Sequence, residues 1–523
     1  MNHRVLTRSF HTFHHLNCNI QYKPALRNEW QAVVGLEIHA QISSASKLFS
    51  RVSTKYGAPP NTQVGIFESA HPGTLPFLNK RCVEAAIKTA IALDATVNKT
   101  SRFDRKHYFY PDLPAGYQIT QAEFPIASNG KLDFIVYDPS VQKLPYRRSV
   151  DLIQLQLEED SGKSIHDTDC NRVLVDLNRA GQPLMELVFG PQLHSGEEAA
   201  AMVKEVALIL SKIGTCNCRM HEGALRVDAN ISVHRPGEPL GTRTEVKNLN
   251  SIKSLVRAVD YEIERQINIL EFGGNVSNET RSFDILTKET VSMRDKEVFQ
   301  DYRFMPEPNL PPLHLYDSSD PCCDRRGSLD VNEFRSSMPE LPEAMRQRLM
   351  QEYDLKLETA IIYVNEEDLL AYFLAVMSNR KRNPQVVSNL LLTNLLGALN
   401  TTNTHITNSP LSTSSFGDIV DMQQARKISP TVSQDVISVI CDGDPRTPVQ
   451  IVHDNNWIQI SEEDSIEELV DSVLRESPDL VQLYKEKKKK KFFNALMGKI
   501  KNASNNRANM NMAKEVLLKK LDS

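Results

Sequence analysis

Apolar and polar residues alternate with a period of two over 225–233, which predicts a strand with Leu225, Val227, Ala229, Ile231 and Val233 on one face and Arg226, Asp228 and Asn230 on the other. After a turn, a second run places Arg243, Glu245 and Lys247 on a common face, opposite the first three. An earlier run, 34–42, alternates Val34, Leu36, Ile38 and Ala40 with Glu37, His39 and Gln41. Neighbours on one face of a strand stand about 6.6 Å apart, so Glu37 and His39 can share a hydrated cation or a phosphate. A further run predicts Leu152, Gln154, Gln156 and Glu158 on one face with Val150. Taken singly, each run also reads as a half-buried antiparallel strand with its polar side in water.

A helical period takes over at 195–213, where Ser195 and Glu198 have capping-box spacing ahead of Met202, Val206, Ile209 and Ile213, and Gly214 closes the run. A second helix is predicted from Asn250 or Ser251, burying Ile252, Val256, Val259, Ile263, Ile267 and Leu270 before Gly273-Gly274. With a further strand at 132–138, this mixture predicts an α+β domain on a mainly antiparallel sheet over 29–318. Pro306, Pro308, Pro311 and Pro312 mark its exit. A helical domain is expected over 330–400, then a Thr/Asn/Ser-rich linker at 400–415 with nothing to bury. An α-helical tail domain is expected over 411–523.

The 523 residues carry a formal net charge of −5, so any nucleic-acid contact must come from a local basic surface. One such surface runs from Lys485 and Lys487 to Lys491 and on to Lys499, Lys501 and Arg507; it reads either as phosphate-contacting or as a solvated helix start. Glu158-Glu159-Asp160 sets three carboxylates in succession, which suits Mg²⁺ or, alternatively, an exposed turn. The Gly162-Lys163-Ser164 that follows is no Walker loop, because that motif needs glycine at 157, where leucine stands. Eight cysteines without paired zinc-finger spacing are expected as free thiols. Nothing approaches about 18 consecutive apolar residues, so no membrane span is expected. Residues 1–28 hold Arg4, Arg8, Lys23 and Arg27, no acid and no long apolar core, the composition of a mitochondrial transit peptide.

Nine blocks resemble the B subunits of the tRNA-dependent amidotransferases, the GatB family, in their mitochondrial form. They are GLEIH (35–39), SKLFS (46–50), HPGTLPFLNK (71–80), FDRKHYFYPDLPAGYQIT (103–120), LEEDSGKS (157–164), LVDLNRAGQPLMELV (174–188), HEGALRVDANISV (221–233), GTRTEVKNLNS (241–251) and DYRFMPEPNLPPL (301–313). The resemblance implies a catalytic cradle with a fold like that of glutamine synthetase. It also implies ATP and Mg²⁺, used to phosphorylate the γ-carboxylate of glutamate on Glu-tRNA(Gln) before ammonia displaces phosphate. Some relatives carry a zinc-binding cysteine cluster near the GTLP block; Phe67 to His71 holds none here, so no zinc is expected.

Matched by motif, the resemblance implies Glu37, His39, Glu159 and Glu245 as metal ligands, flanked by Glu222 and Asp228. Alternation favours Glu158 over Glu159, so both are candidates. Arg105, Lys106, Arg226, Arg243 and Lys247 are each either a cation for ATP phosphates or a structural ion-pair partner, and Tyr108, Phe109, Tyr110 and Tyr117 form either a stacking wall for the tRNA end or core. Lys487, Lys488, Lys489, Lys490, Lys491, Lys499 and Lys501 are the candidate tRNA contacts. Implied partners are the family's glutaminase (its A subunit) and its small C subunit, in a heterotrimer of the mitochondrial matrix. The competing reading is a catalytically silent tRNA-binding scaffold, which would tolerate loss of the carboxylates.

Overall fold

A computed structural model describes residues 29–141, 144–167, 169–295, 302–320, 329–379, 381–460, 463–487, 490–504 and 506–522. The expected transit peptide, 1–28, lies outside them. The chain divides into two compact units at Leu341 and Pro342.

The first unit is built on β1 (Gln31–Gln41), β2 (Thr96–Val97), β3 (Thr100–Ser101), β4 (Asp104–His107), β5 (Tyr117–Thr120), β6 (Ala127–Val136), β7 (Tyr146–Glu159), β8 (Lys163–Asp167), β9 (Arg172–Asp176), β10 (Pro183–Phe189), β11 (Leu225–His234), β12 (Thr244–Leu249), β13 (Glu279–Asp284), β14 (Glu289–Asp295) and β15 (Met305–Pro306). Nine of these make one sheet in the order β14-β13-β12-β11-β1-β10-β7-β6-β2. Every neighbouring pair is antiparallel except β12 and β13. Alternation decides which side is covered: Leu36, Ile38, Val227, Ala229, Leu155 and Leu157 are fully buried beneath helices Lys80–Ala92, Gly196–Lys212 and Ile252–Glu271. The opposite face of the central strands carries the acids and bases. A small sheet, β15-β4-β5, runs past the end of β7, where Ile119 and Gln118 donate to Glu159 and Leu157 donates to Gln121.

Both expected helices form, with Ser195 and Ser251 as N-caps, but the reciprocal half of the first capping box does not. Glu198 instead accepts the His194 N–H at 2.8 Å and pairs with Arg148. The second helix buries Leu255, Ala258, Val259, Ile263 and Ile267, while Ile252, Val256 and Leu270 are only half-buried. Its inner surface also hides Glu262 and Gln266, which an apolar-stripe reading passes over.

The second unit is helical among its described residues. Here 400–415 is no bare linker: Ile406 and Leu411 are buried, and the Tyr372 hydroxyl donates to the Leu411 carbonyl at 3.0 Å. Ile406 and Leu411 are isolated in a mainly Thr/Asn/Ser stretch, so no apolar period announces them. The last helices, Glu463–Glu476, Lys490–Ala503 and Met510–Asp522, close around Ile466, Val470, Leu496, Ile500 and Leu517. No described helix is long and apolar enough to cross a membrane.

Candidate active site

Strand register assembles the polar face. Glu37 on β1 lies opposite Asp228 on β11, and His39 lies between Glu186 on β10 and Arg226 on β11. Glu186 in turn faces Gln156 on β7, and Asn230 faces Glu245 on β12. Two clusters result. His39, Glu158 and Glu186 bring one donor atom each within 4.8 Å of one another, and so do Glu37, Asp228 and Glu245. Glu37 and His39, two residues apart on β1, make the clusters adjacent.

In the first cluster His39 Nε2 lies 3.8 Å from Glu186 and 4.0 Å from Glu158. Burial, and then each carboxylate's acidic neighbours, raise both Glu158 and Glu186. Glu158 Oε2 is buried without a hydrogen-bond partner among the described residues. Gln154 donates to Gln156 at 3.2 Å, and Gln156 donates to Glu186, a chain that fixes the Glu186 carboxylate. Lys106 reaches over from β4, its ammonium 5.0 Å from the Tyr302 ring. Burial opposes its charge, but Glu158 and Glu186 outweigh burial and hold Lys106 above its ordinary range.

The second cluster is shaped by a bulge. Val227 pairs with Leu249 but Ala229 with Val246, so Lys247 and Asn248 together oppose Asp228. Asn248 takes the left-handed conformation, φ 59°, which asparagine tolerates better than most residues. That turn aims its N–H at Asp228 Oδ1, 2.9 Å away, while Lys247 Nζ lies 3.2 Å from Asp228 and 2.7 Å from Glu245. Asn230 donates to Glu37 at 2.9 Å.

Glu159, expected as a metal ligand, belongs to neither cluster. It sits one residue beyond Glu158, so its side chain leaves β7 on the opposite face, where it accepts the Ile119 N–H at 2.9 Å. Burial pushes its carboxyl up from an ordinary 4.5 to about 8. A folded-state value above the unfolded one gives stability that is present in full below about 4.5 and lost as pH rises through about 8. Thermal midpoints of wild type should therefore fall between pH 5 and pH 8, and Glu159→Gln should flatten that slope. An unchanged slope in the variant would assign the pH dependence elsewhere.

Glu222 also stands apart, on a turn where it pairs with Arg219 at 2.9 Å. Among the expected cations, Arg105 pairs with Glu307 at 2.5 Å beneath Tyr117, and Arg226 pairs with Asp160 at 2.8 Å. Arg243 is exposed ahead of β12. Of the aromatic residues, Tyr108 is hydrogen-bonded to Gln118 and edge-on to Tyr110 and Tyr302, whereas Phe109 is 87% exposed. In the tail, Lys491 is exposed and Lys499 donates to Ser477 at 2.8 Å. Lys501 is half-buried; Lys488 and Lys489, with the side chains of Lys487 and Lys490, lie outside the described residues.

Glu186, Glu307 and Tyr302 went unread in the sequence. Glu186 had a usable signal, being the single charge inside the otherwise apolar strand PLMELVF.

The donor set fits hard divalent cations: five carboxylates, one imidazole and no cysteine, with one buried oxygen unsatisfied. Imidazole is a poor Mg²⁺ ligand, which leaves His39 a water-mediated or orienting part.

Residues 32–319 match the family described as the GatB/GatE catalytic domain, and 371–521 match the one described as the GatB domain. The chain is 47% identical over 499 residues to the mitochondrial B subunit of glutamyl-tRNA(Gln) amidotransferase of Aedes aegypti, covering 95% of this chain and 94% of that one. It is 48% identical over 496 residues to the Homo sapiens protein of the same name, covering 94% and 89%. A bacterial relative, the B subunit of the aspartyl/glutamyl-tRNA(Asn/Gln) amidotransferase of Rickettsia typhi, is 39% identical over 504 residues, covering 96% and 100%.

Proposed function

The chain belongs to the GatB family, and from that premise we propose that it is the B subunit of a heterotrimeric, glutamine-hydrolysing amidotransferase that makes Gln-tRNA(Gln) from Glu-tRNA(Gln) with ATP. The observation that carries the site assignment is the pair of adjacent carboxylate clusters on one sheet face. A γ-carboxylate oxygen of the glutamyl group attacks the γ-phosphorus of ATP and ADP leaves; ammonia then attacks the acyl-phosphate carbon and phosphate leaves. Phosphoryl transfer calls chiefly for alignment and charge neutralisation. Mg²⁺ held by Glu37, Glu158, Glu186, Asp228 and Glu245, with His39 acting through water or orienting a carboxylate, would supply that neutralisation. Lys106 and Lys247 would hold phosphate oxygens, and Arg226 would brace Asp160 at the edge of the first cluster. Tyr108, Tyr110 and Tyr302 offer ring faces and edges for the terminal bases of the tRNA. A glutamine-synthetase-like cradle is the corresponding fold reading.

Ammonia is proposed to come from the glutaminase partner, with the small third protein completing the complex, and the lysines from Lys487 to Lys501 to serve tRNA phosphates. The naming of the insect and human relatives supports a mitochondrial setting, and the matrix is the compartment proposed.

The test is ATP-dependent conversion of Glu-tRNA(Gln) by this chain with its partner subunits, supplied with ammonia, in wild type and Glu245→Ala. Loss of conversion with tRNA binding kept is the expected result. Equal conversion in both would remove the metal face from the mechanism, and binding without conversion in wild type would favour the scaffold.

A further inference from the structure

The second cluster already contains a positive charge. Lys247 Nζ lies 2.7 Å from Glu245 Oε1 and 3.2 Å from Asp228 Oδ2, two of the three carboxylates that would hold a divalent ion there. The first cluster differs: Glu158 Oε2 is buried with no hydrogen-bond partner among the described residues. A divalent ion bonds carboxylate oxygens at about 2.0–2.6 Å, so it and the ammonium would compete for the same lone pairs and repel each other across a few ångströms. Lys247 has somewhere to go. Its side chain is 33% exposed, on a flexible four-carbon stem beside the bulge of β12.

We propose that Lys247 is a tethered counter-ion: a divalent ion enters the Glu37, Asp228 and Glu245 cluster by displacing the Lys247 ammonium, which then turns to the phosphates of the nucleotide. The inference rests on the two-cluster metal reading above and adds an order to it. Before the ion arrives, the lysine neutralises Asp228 and Glu245 and holds them together; afterwards the same charge is delivered to the substrate. A compact ammonium suits this exchange better than a guanidinium, whose planar fork would stay bidentate on the carboxylates.

The test is a Mn²⁺ titration of the assembled complex without nucleotide, followed by electron paramagnetic resonance of free Mn²⁺. Wild type should bind one ion tightly and a second weakly. Lys247→Met should tighten the second site at least about tenfold, because the competing ion pair is gone. Lys247→Gln should do the same should the methionine variant fold poorly, and Lys247→Arg should leave the site weak. Adding Glu245→Gln to Lys247→Met should abolish the tightened site, which assigns it to this cluster. A second site unchanged or weakened in both neutral variants would overturn the exchange while leaving the metal reading intact. No Mn²⁺ bound at either cluster in wild type would overturn both.

Discussion

Glu158→Gln should lower ATP-dependent formation of Gln-tRNA(Gln) about 10³-fold, with tRNA binding kept, in single-turnover assays supplied with ammonia. The carboxylate lies in the first cluster with His39 and Glu186, and one of its oxygens is buried without a hydrogen-bond partner among the described residues. Removing its charge leaves Lys106 opposite Glu186 alone and strips one ligand from the group that would neutralise the transferring phosphoryl. Glutamine retains the shape, so a loss of this size would be electrostatic rather than a packing defect. The variant one residue along supplies the contrast. Glu159→Gln keeps an acceptor for the Ile119 N–H and removes a carboxyl that burial holds at about 8, so its effect belongs to stability. Activity of Glu158→Gln within about tenfold of wild type would move the phosphoryl site off this cluster.

The contrast between these neighbours also measures what a sequence discloses. Period-two alternation along 34–42 and 225–233 identified the polar face, because only the covered side tolerates Leu36, Ile38 and Val227; along 150–158 a register shift breaks it, and Val150 and Leu152 are core residues although they share the parity of Glu158. Motif matching alone pointed to Glu159, since a block of aligned letters carries no record of which way a side chain leaves the strand. Glu186 was passed over for the opposite reason. It interrupts a continuous apolar run, and β10 lies between two other strands of the same sheet with Leu184 buried beside it, so alternation is weak there. The alternation of Arg243, Glu245 and Lys247 gave no sign of the bulge at Lys247 and Asn248, which delivers two donors to Asp228 at once. Long-range partners such as Glu307 on Arg105, some 200 positions apart, follow from tertiary packing alone.

The largest stability effect should come from beneath the sheet, at Glu262→Ala, with a loss of about 3–5 kcal/mol in the unfolding free energy of the first unit. Glu262 is fully buried on the helix Ile252–Glu271, where one oxygen lies 2.7 Å from Arg265 and the other 3.5 Å from Arg281. It also accepts from Thr290 on β14 at 2.7 Å and from Gln266 at 3.0 Å. Glu279 on β13 closes the network, 2.5 Å from Arg281 and 3.6 Å from Arg265. With Glu262 gone, two half-buried or buried guanidiniums share a single carboxylate, and an uncompensated buried charge is what makes such a deletion expensive. Glu262→Gln should recover part of the loss, since an amide oxygen can still accept from Arg265 or Thr290. The damage should not stay local. Arg281 and Glu279 flank Thr280, whose hydroxyl donates to Glu245 at 3.4 Å across the parallel β12–β13 pair. Loosening β13 therefore releases a carboxylate of the second cluster, and weaker Mn²⁺ binding there should accompany the lower denaturation midpoint. A Glu262→Ala variant with wild-type stability would show that water or a neighbouring acid replaces the lost carboxylate. Wild-type Mn²⁺ affinity in a destabilised variant would instead separate the network from the site.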